Sequence, residues 1–176
     1  MIMRPGQPLL LPANPWFIWA SLLGALLLNM GMNIGITGRQ AWAPDVLALV
    51  LVFWSVHQPR RIGVGLAFVS GLVMDVHGAG VLGQHALAYT VLGYFAISIH
   101  RRLLWFTVPT QSLHVFPLLL LAHVITLVVR LSVGGSWPGW MLVFAPVIEA
   151  LLWPVVSVVL LMPQRRAPDR DKTRPL

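Results

Sequence analysis

Gly63-Val64-Gly65-Leu66-Ala67-Phe68-Val69-Ser70-Gly71-Leu72-Val73-Met74-Asp75-Val76-His77-Gly78-Ala79-Gly80 is an apolar run that ends in one acid and a glycine-rich turn. Steps of four from Gly63 reach Ala67, Gly71 and Asp75, so on a helix the small residues and the carboxylate share one face. A flat stripe of Gly and Ala lets another helix approach closely in lipid. An acid on the same stripe is then turned into the bundle and away from acyl chains. The run therefore predicts a helix packed in a membrane bundle, with Asp75 at the contact.

The composition of the whole chain agrees. Apolar residue types make up 57% of the 176 residues and charged types 10%, with a mean hydropathy of +0.80, whereas a soluble domain carries about 25% charged residues. The polar remainder amounts to two short tails and tight loops, which leaves no room for a soluble catalytic domain. There are no cysteines, which excludes disulfides, thiolate zinc sites and Cys nucleophiles together. The net charge is +7, from 12 Lys and Arg against 5 acids. Those cations sit in pairs between apolar runs and in the tail, the distribution of topology signals and not of a nucleic-acid-binding patch.

Read in order, residues 1–14 form a cytoplasmic tail with Arg4 and the prolines Pro5, Pro8 and Pro12, which keep it from being helical. A single domain of six spans follows over residues 15–162. The first span covers residues 15–35 and reads as uncleaved, because no small-residue cleavage site closes it. Gly31, Asn33, Gly35 and Gly38 loosen its end before a loop with Arg39 and Gln40. Pro44 and Asp45 open the second span, Val46 to Val56, where an acid suits a helix N-terminus. It stops at His57-Gln58-Pro59-Arg60-Arg61. The third span, 62–77, reaches only about 24 Å. The tight turn His77 to Gly80 makes it an antiparallel hairpin with the fourth span, Leu82 to Ile99, and puts Asp75 and His85 near the hairpin tip. Leu103 to Val108, with Trp105 and Phe106, is expected to lie along the membrane interface. The fifth span is expected from Ser112 to Leu131, kinked by Pro117, and the sixth from Trp140 to Met162, with Pro146 and Pro154 inside it. Residues 163–176 are a basic cytoplasmic tail without periodicity, expected to be disordered.

Charge fixes the orientation. With both termini inside, Arg4, Arg60, Arg61, Arg101, Arg102, Arg165, Arg166, Arg170, Lys172 and Arg174 are cytoplasmic and only Arg39 and Arg130 lie outside, ten against two. Removing or adding one span throws an arginine pair to the wrong side.

Asp45, Asp75 and Glu149 are the acids within or at the edge of apolar runs. Asp45 reads chiefly as a helix-start residue at the membrane surface. Glu149 lies about nine residues from the outer boundary, about 14 Å and close to the midplane of a hydrocarbon core about 30 Å thick. An ionised carboxylate there needs a partner or a proton. Arg130 is the expected partner of Asp75 or Glu149. The six histidines do not follow a metal-binding pattern: there is no H-E-x-x-H, and His114 and His123, nine apart, fall on opposite helix faces. Neither Ser70 nor Ser112 has a G-x-S-x-G surround, and Gly71 to Asp75 lacks the Gly-x-Gly-Asp arrangement of aspartyl intramembrane proteases. No phosphate-binding glycine loop and no internal repeat is present. The sequence thus predicts no catalytic residues, no cofactor and no metal. Gly63, Ala67, Gly71, Asp75, Gly83, His85, Arg130 and Glu149 are its structural and interaction residues. Asp75 reads as a packing and recognition centre, not a proton carrier, so Gly71→Leu is expected to do more harm than Asp75→Asn.

Pro44 to Trp54, Pro59-Arg60-Arg61-Ile62-Gly63-Val64-Gly65, Gly71-Leu72-Val73-Met74-Asp75 and Leu82-Gly83-Gln84-His85-Ala86-Leu87-Ala88-Tyr89, with Leu151-Leu152-Trp153-Pro154 in the last span, resemble the bacterial rod shape-determining protein MreD family. The resemblance covers about residues 44–100 and 140–165. It implies an all-α, multi-pass protein of the bacterial inner membrane, a non-enzymatic scaffold of the machinery that builds lateral-wall peptidoglycan. Its implied partners are MreC, most directly, then the MreB filament, the glycosyltransferase RodA, a transpeptidase penicillin-binding protein and membrane lipids, with no nucleic acid. The family is similar in architecture to the substrate-binding subunits of energy-coupling-factor transporters, which gives the alternative: a small-molecule or lipid binding or transport subunit. The resemblance supplies no catalytic or ligand residues, so Asp75 and its glycine partners carry over only as a structural centre.

Overall fold

Between Val46 and Val56 the only polar side chain is Ser55, and a helix that is apolar all round has to be covered on every side. A computed structural model, which describes residues 13–33, 42–78 and 81–164, places this segment at the centre of an all-helical bundle. In chain order its helices are α1 (Pro15–Gly31), α2 (Val46–His57), α3 (Val64–Gly78), α4 (Gln84–Leu103), α5 (Val108–Ser132) and α6 (Phe144–Leu161). α2 is buried without a break from Leu47 to Val56. α1, α4 and α6 pack round it, α5 touches it, and α3 lies outside against α4 and the end of α1.

Local chemistry sets the helix starts. Asn14 accepts the Trp16 N–H at 3.0 Å with Pro15 at the first helical position, and Asp45 accepts the Ala48 N–H at 2.9 Å. Each is an N-cap that meets one of the free donors of a first turn. Pro109 does the same service passively for α5, since its missing N–H has no intrahelical partner there in any case. Tryptophans tie the inner core: Trp54 on α2 donates its indole N–H to Ser21 Oγ at 2.9 Å, and Trp153 on α6 donates to Gln111 Oε1 at 3.3 Å. Phe53 lies between the two rings, with centroids 5.0 and 6.1 Å away.

The outer surface is the reverse of a soluble protein's. Leu23, Leu27, Val69, Val76, Leu113, Val128, Leu151 and Val155 are all exposed, an apolar area of the kind that lipid or a partner covers. Among the described residues, α5 and the segment Trp140–Gln164 are helices long and apolar enough to cross a membrane. Only 22% and 28% of their apolar windows are buried inside the protein. α1, α2 and α3 are shorter apolar helices.

Several expectations need correcting. Leu103 to Val108 is a helix end and a turn: α4 runs to Leu103, and α5 starts at Val108 after a turn in which the Trp105 and Phe106 N–H groups bond back to Arg102 and Leu103. α5 therefore begins one turn before Ser112, and Pro117 lies inside it. The sixth run opens and closes as short 3-10 turns, Trp140–Val143 and Met162–Gln164, with α6 between them. Gly63 does not belong to the packed stripe. It is exposed, precedes α3, and accepts the Leu66 and Ala67 N–H groups through its carbonyl. The residues 1–12, the end of the first run beyond Asn33, Arg39 and its loop, Ala79-Gly80 and the tail from Arg165 lie outside the described residues. So do most of the cations in the charge count.

The rest of the stripe does face α4. Ala67 is fully buried, and a Cβ at Gly93 would come within 3.2 Å of the Ala67 methyl group. At Gly71 a Cβ would stand 2.5 Å from the Ala86 nitrogen and 2.6 Å from the His85 carbonyl carbon, which is backbone and has no rotamer to yield. Gly65, on the same helix, has open space round the equivalent position. Gly71→Ala is therefore expected to cost about 1–3 kcal/mol as overpacking, while Gly65→Ala stays within about 0.5 kcal/mol of the parent. Thermal unfolding midpoints of the purified proteins in detergent check the contrast. Equal midpoints for the two variants would show that α3 and α4 are not in contact at Gly71.

Candidate functional site

The ends of α1, α3 and α5 and the starts of α2, α4 and α6 meet at one end of the bundle, and Asp75, Asp45 and Glu149 lie there. Gly83 opens α4 with φ of 96°, a left-handed conformation that glycine adopts without strain. It has no side chain with which to cap the helix. Asp75, from the end of α3, takes over that role. Its Oδ2 accepts the Gly83 N–H at 2.9 Å and the Ala86 N–H at 3.2 Å. Its Oδ1 accepts the His85 N–H at 2.8 Å and lies 2.7 Å from His85 Nδ1. A carboxylate at a helix N-terminus is favoured both by the free N–H groups and by the helix dipole. Gly71 makes this possible, because only a residue without a side chain lets the first turn of α4 come within reach of a carboxylate one turn further along α3.

Asp45 binds in the same manner on its own helix and reaches three others. Beside Ala48 N–H, its Oδ1 accepts Asn29 Nδ2–H of α1 at 3.0 Å, and its Oδ2 accepts the Tyr89 hydroxyl of α4. Its own N–H donates to Glu149 Oε1 of α6 at 2.7 Å. The same Oε1 lies 2.8 Å from His123 Nε2 of α5. Tyr89 also meets the His85 ring edge-on, with centroids 5.9 Å apart, so the two halves of the cluster touch. Asp75 is 3% exposed and Glu149 0%. Burial at that depth is costly for a carboxylate without donors, and these have them.

Above the cluster is a cavity of about 700 Å³. Asn29, Asp45, Met74, Asp75, His85, Tyr89, His123, Arg130 and Glu149 line it with apolar residues of α2, α4 and α5. Among the described residues there is no group of three or more His, Asp or Glu side chains arranged to hold a metal ion.

The expected pairing of Arg130 with Asp75 or Glu149 is overturned: both acids pair with histidines, His85 and His123. The cause is depth. Arg130 is exposed in the last turn of α5, two turns and about 10 Å outward of His123, so it stands at the rim. Gly83, His85 and Asp75 come together at the hairpin tip as the spacing predicts, and Gly71 lies directly beneath them. Sequence reasoning does not reach Asn29, Tyr89 or His123, and it reads Asp45 chiefly as a surface cap. The signal available for His123 was register, since it lies as far inside the end of α5 as Glu149 lies inside the start of the sixth run.

Asp75→Asn turns an NH2 group against N–H donors, so it is expected to cost about 1–3 kcal/mol, the range for a buried group left unsatisfied. Tyr89→Phe, which removes one neutral donor from Asp45 without changing shape, is expected to cost about 1 kcal/mol. Gly71→Leu should exceed both. Membrane protein level and unfolding midpoint measure the order, and an Asp75→Asn protein as stable as the parent would remove the capping role.

The family profile described as rod shape-determining protein MreD matches residues 12–162, which contain all six helices and every residue of the cluster. The chain is 30% identical over 127 residues to the rod shape-determining protein MreD of Haemophilus influenzae, covering 70% of this chain and 76% of that protein. No solved structure matches. The profile match across the whole bundle, together with this relative, shows that the chain belongs to the MreD family.

Proposed function

We propose that the chain is a non-enzymatic integral membrane scaffold of the cell-elongation machinery, maintaining rod shape through contact with MreC and associated synthases, with MreB, RodA and a transpeptidase penicillin-binding protein in the wider complex. The observation that carries the reading is the family match over all six helices. The apolar outer surface supports a bundle set in the inner membrane, with its exposed side chains left for lipid or for partner helices. All six helices are proposed to span it, with both termini in the cytoplasm, on the charge distribution of the sequence. The short α2, about 18 Å long, does not weigh against this. A helix enclosed by its neighbours never meets acyl chains, and the polar residues at its N-terminus face a cavity, where backbone groups at membrane depth are tolerated.

A second reading, a binding subunit of the energy-coupling-factor type, is favoured by one observation, the cavity at the carboxylate end. Its size falls in the range of small-molecule sites, about 300–1,000 Å³.

Depleting the protein from its rod-shaped host is expected to give rounded cells, and its purification from membranes to bring down MreC. Rods of normal shape after complete depletion would reject the scaffold reading. For topology, a reporter that is active only outside the cytoplasm, fused after Leu176, is expected to stay silent. An active fusion would require an odd number of crossings or an external N-terminus.

A further inference from the structure

Glu149 holds an atom that the cluster does not use. Its Oε1 takes the Asp45 N–H and the His123 contact, but Oε2 is buried with no hydrogen-bond partner. The other two carboxylates differ: both oxygens of Asp45 and both of Asp75 are filled. A buried carboxylate oxygen of this kind calls for a donor. Glu149 itself lines the cavity, and the terminal torsion of a glutamate is soft, so the cavity is the side from which a ligand donor meets this carboxylate.

The charge order of the wall says what kind of donor fits. Three carboxylates stand at the inner end, and among the described residues Arg130 is the sole Lys or Arg in the lining. His123, Thr126, Leu127 and Arg130 lie on one face of α5, which carries the lining from the buried Glu149 partner out to an exposed guanidinium. The wall is therefore acidic at its floor and basic at its rim. An anion alone is repelled by the floor, and a bare cation leaves the rim unused.

We propose that this cavity binds a zwitterion whose primary ammonium donates to the Glu149 carboxylate and whose anionic group rests on Arg130. A phosphoethanolamine unit has this chemistry, and it has two sources: the headgroup of phosphatidylethanolamine, reached from the lipid, and a free solute of the same type. The site stands whether the protein serves as a scaffold or as a binding subunit, since neither role enters its construction.

The test uses the full chain, purified in detergent and stripped of lipid, with thermal unfolding and native mass spectrometry as readouts. Phosphatidylethanolamine is compared with phosphatidylcholine, whose quaternary ammonium has no N–H to donate, and with phosphatidylglycerol, which has no ammonium. Free O-phosphoethanolamine forms the second arm. Stabilisation by phosphatidylethanolamine alone, or by it and the free compound, is expected, and the pattern identifies the source. Glu149→Gln, which trades the accepting oxygen for an amide donor, should weaken binding about tenfold or more, as loss of a charged hydrogen bond does. Arg130→Gln, at the exposed rim, should weaken it several-fold without lowering protein yield, and it decides the matter if Glu149→Gln fails to accumulate. Equal stabilisation by the three lipids, no response to either ammonium compound, or unchanged affinity in Arg130→Gln would each overturn the proposal.

Discussion

A helix whose first turn is buried in a bundle has free N–H groups that must find acceptors, and the bond between Asp75 and the first turn of α4 answers that constraint. The answer comes from a different helix, so it fixes more than a cap. It sets the depth of α3 against α4 and the direction in which His85 points. It also requires the backbones to touch at Gly71, where a Cβ would overlap the chain. A glycine, an acid one turn later and a glycine in the left-handed region are thus one device, distributed over the hairpin.

The same requirement governs the rest of that end. Asp45 caps α2 and gathers Asn29 and Tyr89, and its backbone N–H anchors Glu149, so five of the six helices are tied by hydrogen bonds to a cluster round one N-terminus. The opposite end is held differently, by Phe53 packed edge to face with Trp54 and tilted against Trp153, with both indole N–H groups satisfied. Polar bonds specify one end of the bundle and aromatic packing the other. The first kind leaves room for a cavity, because directional bonds hold helices at a set distance, whereas packing closes every gap it can.

The existence of the helices was legible because apolar runs separated by Pro, Gly and Arg pairs have few alternatives, and Asp45 as a helix start and the Asp75–His85 meeting followed from spacing within one stretch. What failed was anything needing the relation between distant runs. The Arg130 pairing rested on charge sign, but α5 places Arg130 two turns outward of His123, the partner of Glu149, and α3, which carries Asp75, packs chiefly against α4. Depth is fixed by which residues of α5 and α6 lie side by side, and periodicity within each helix carries no such register. Gly63 failed for a smaller reason: a step of four extends a stripe on paper past the point where the helix begins.

The Asp75 cap also makes α3 and α4 dependent on each other. α3 alone would carry a bare carboxylate among acyl chains, and α4 alone would expose the donors of its first turn, beginning at a glycine that cannot cover them. Neither helix is acceptable to lipid in isolation, and each supplies what the other lacks. The hairpin is therefore the smallest piece of the chain in which the carboxylate of α3 and the first-turn donors of α4 satisfy each other.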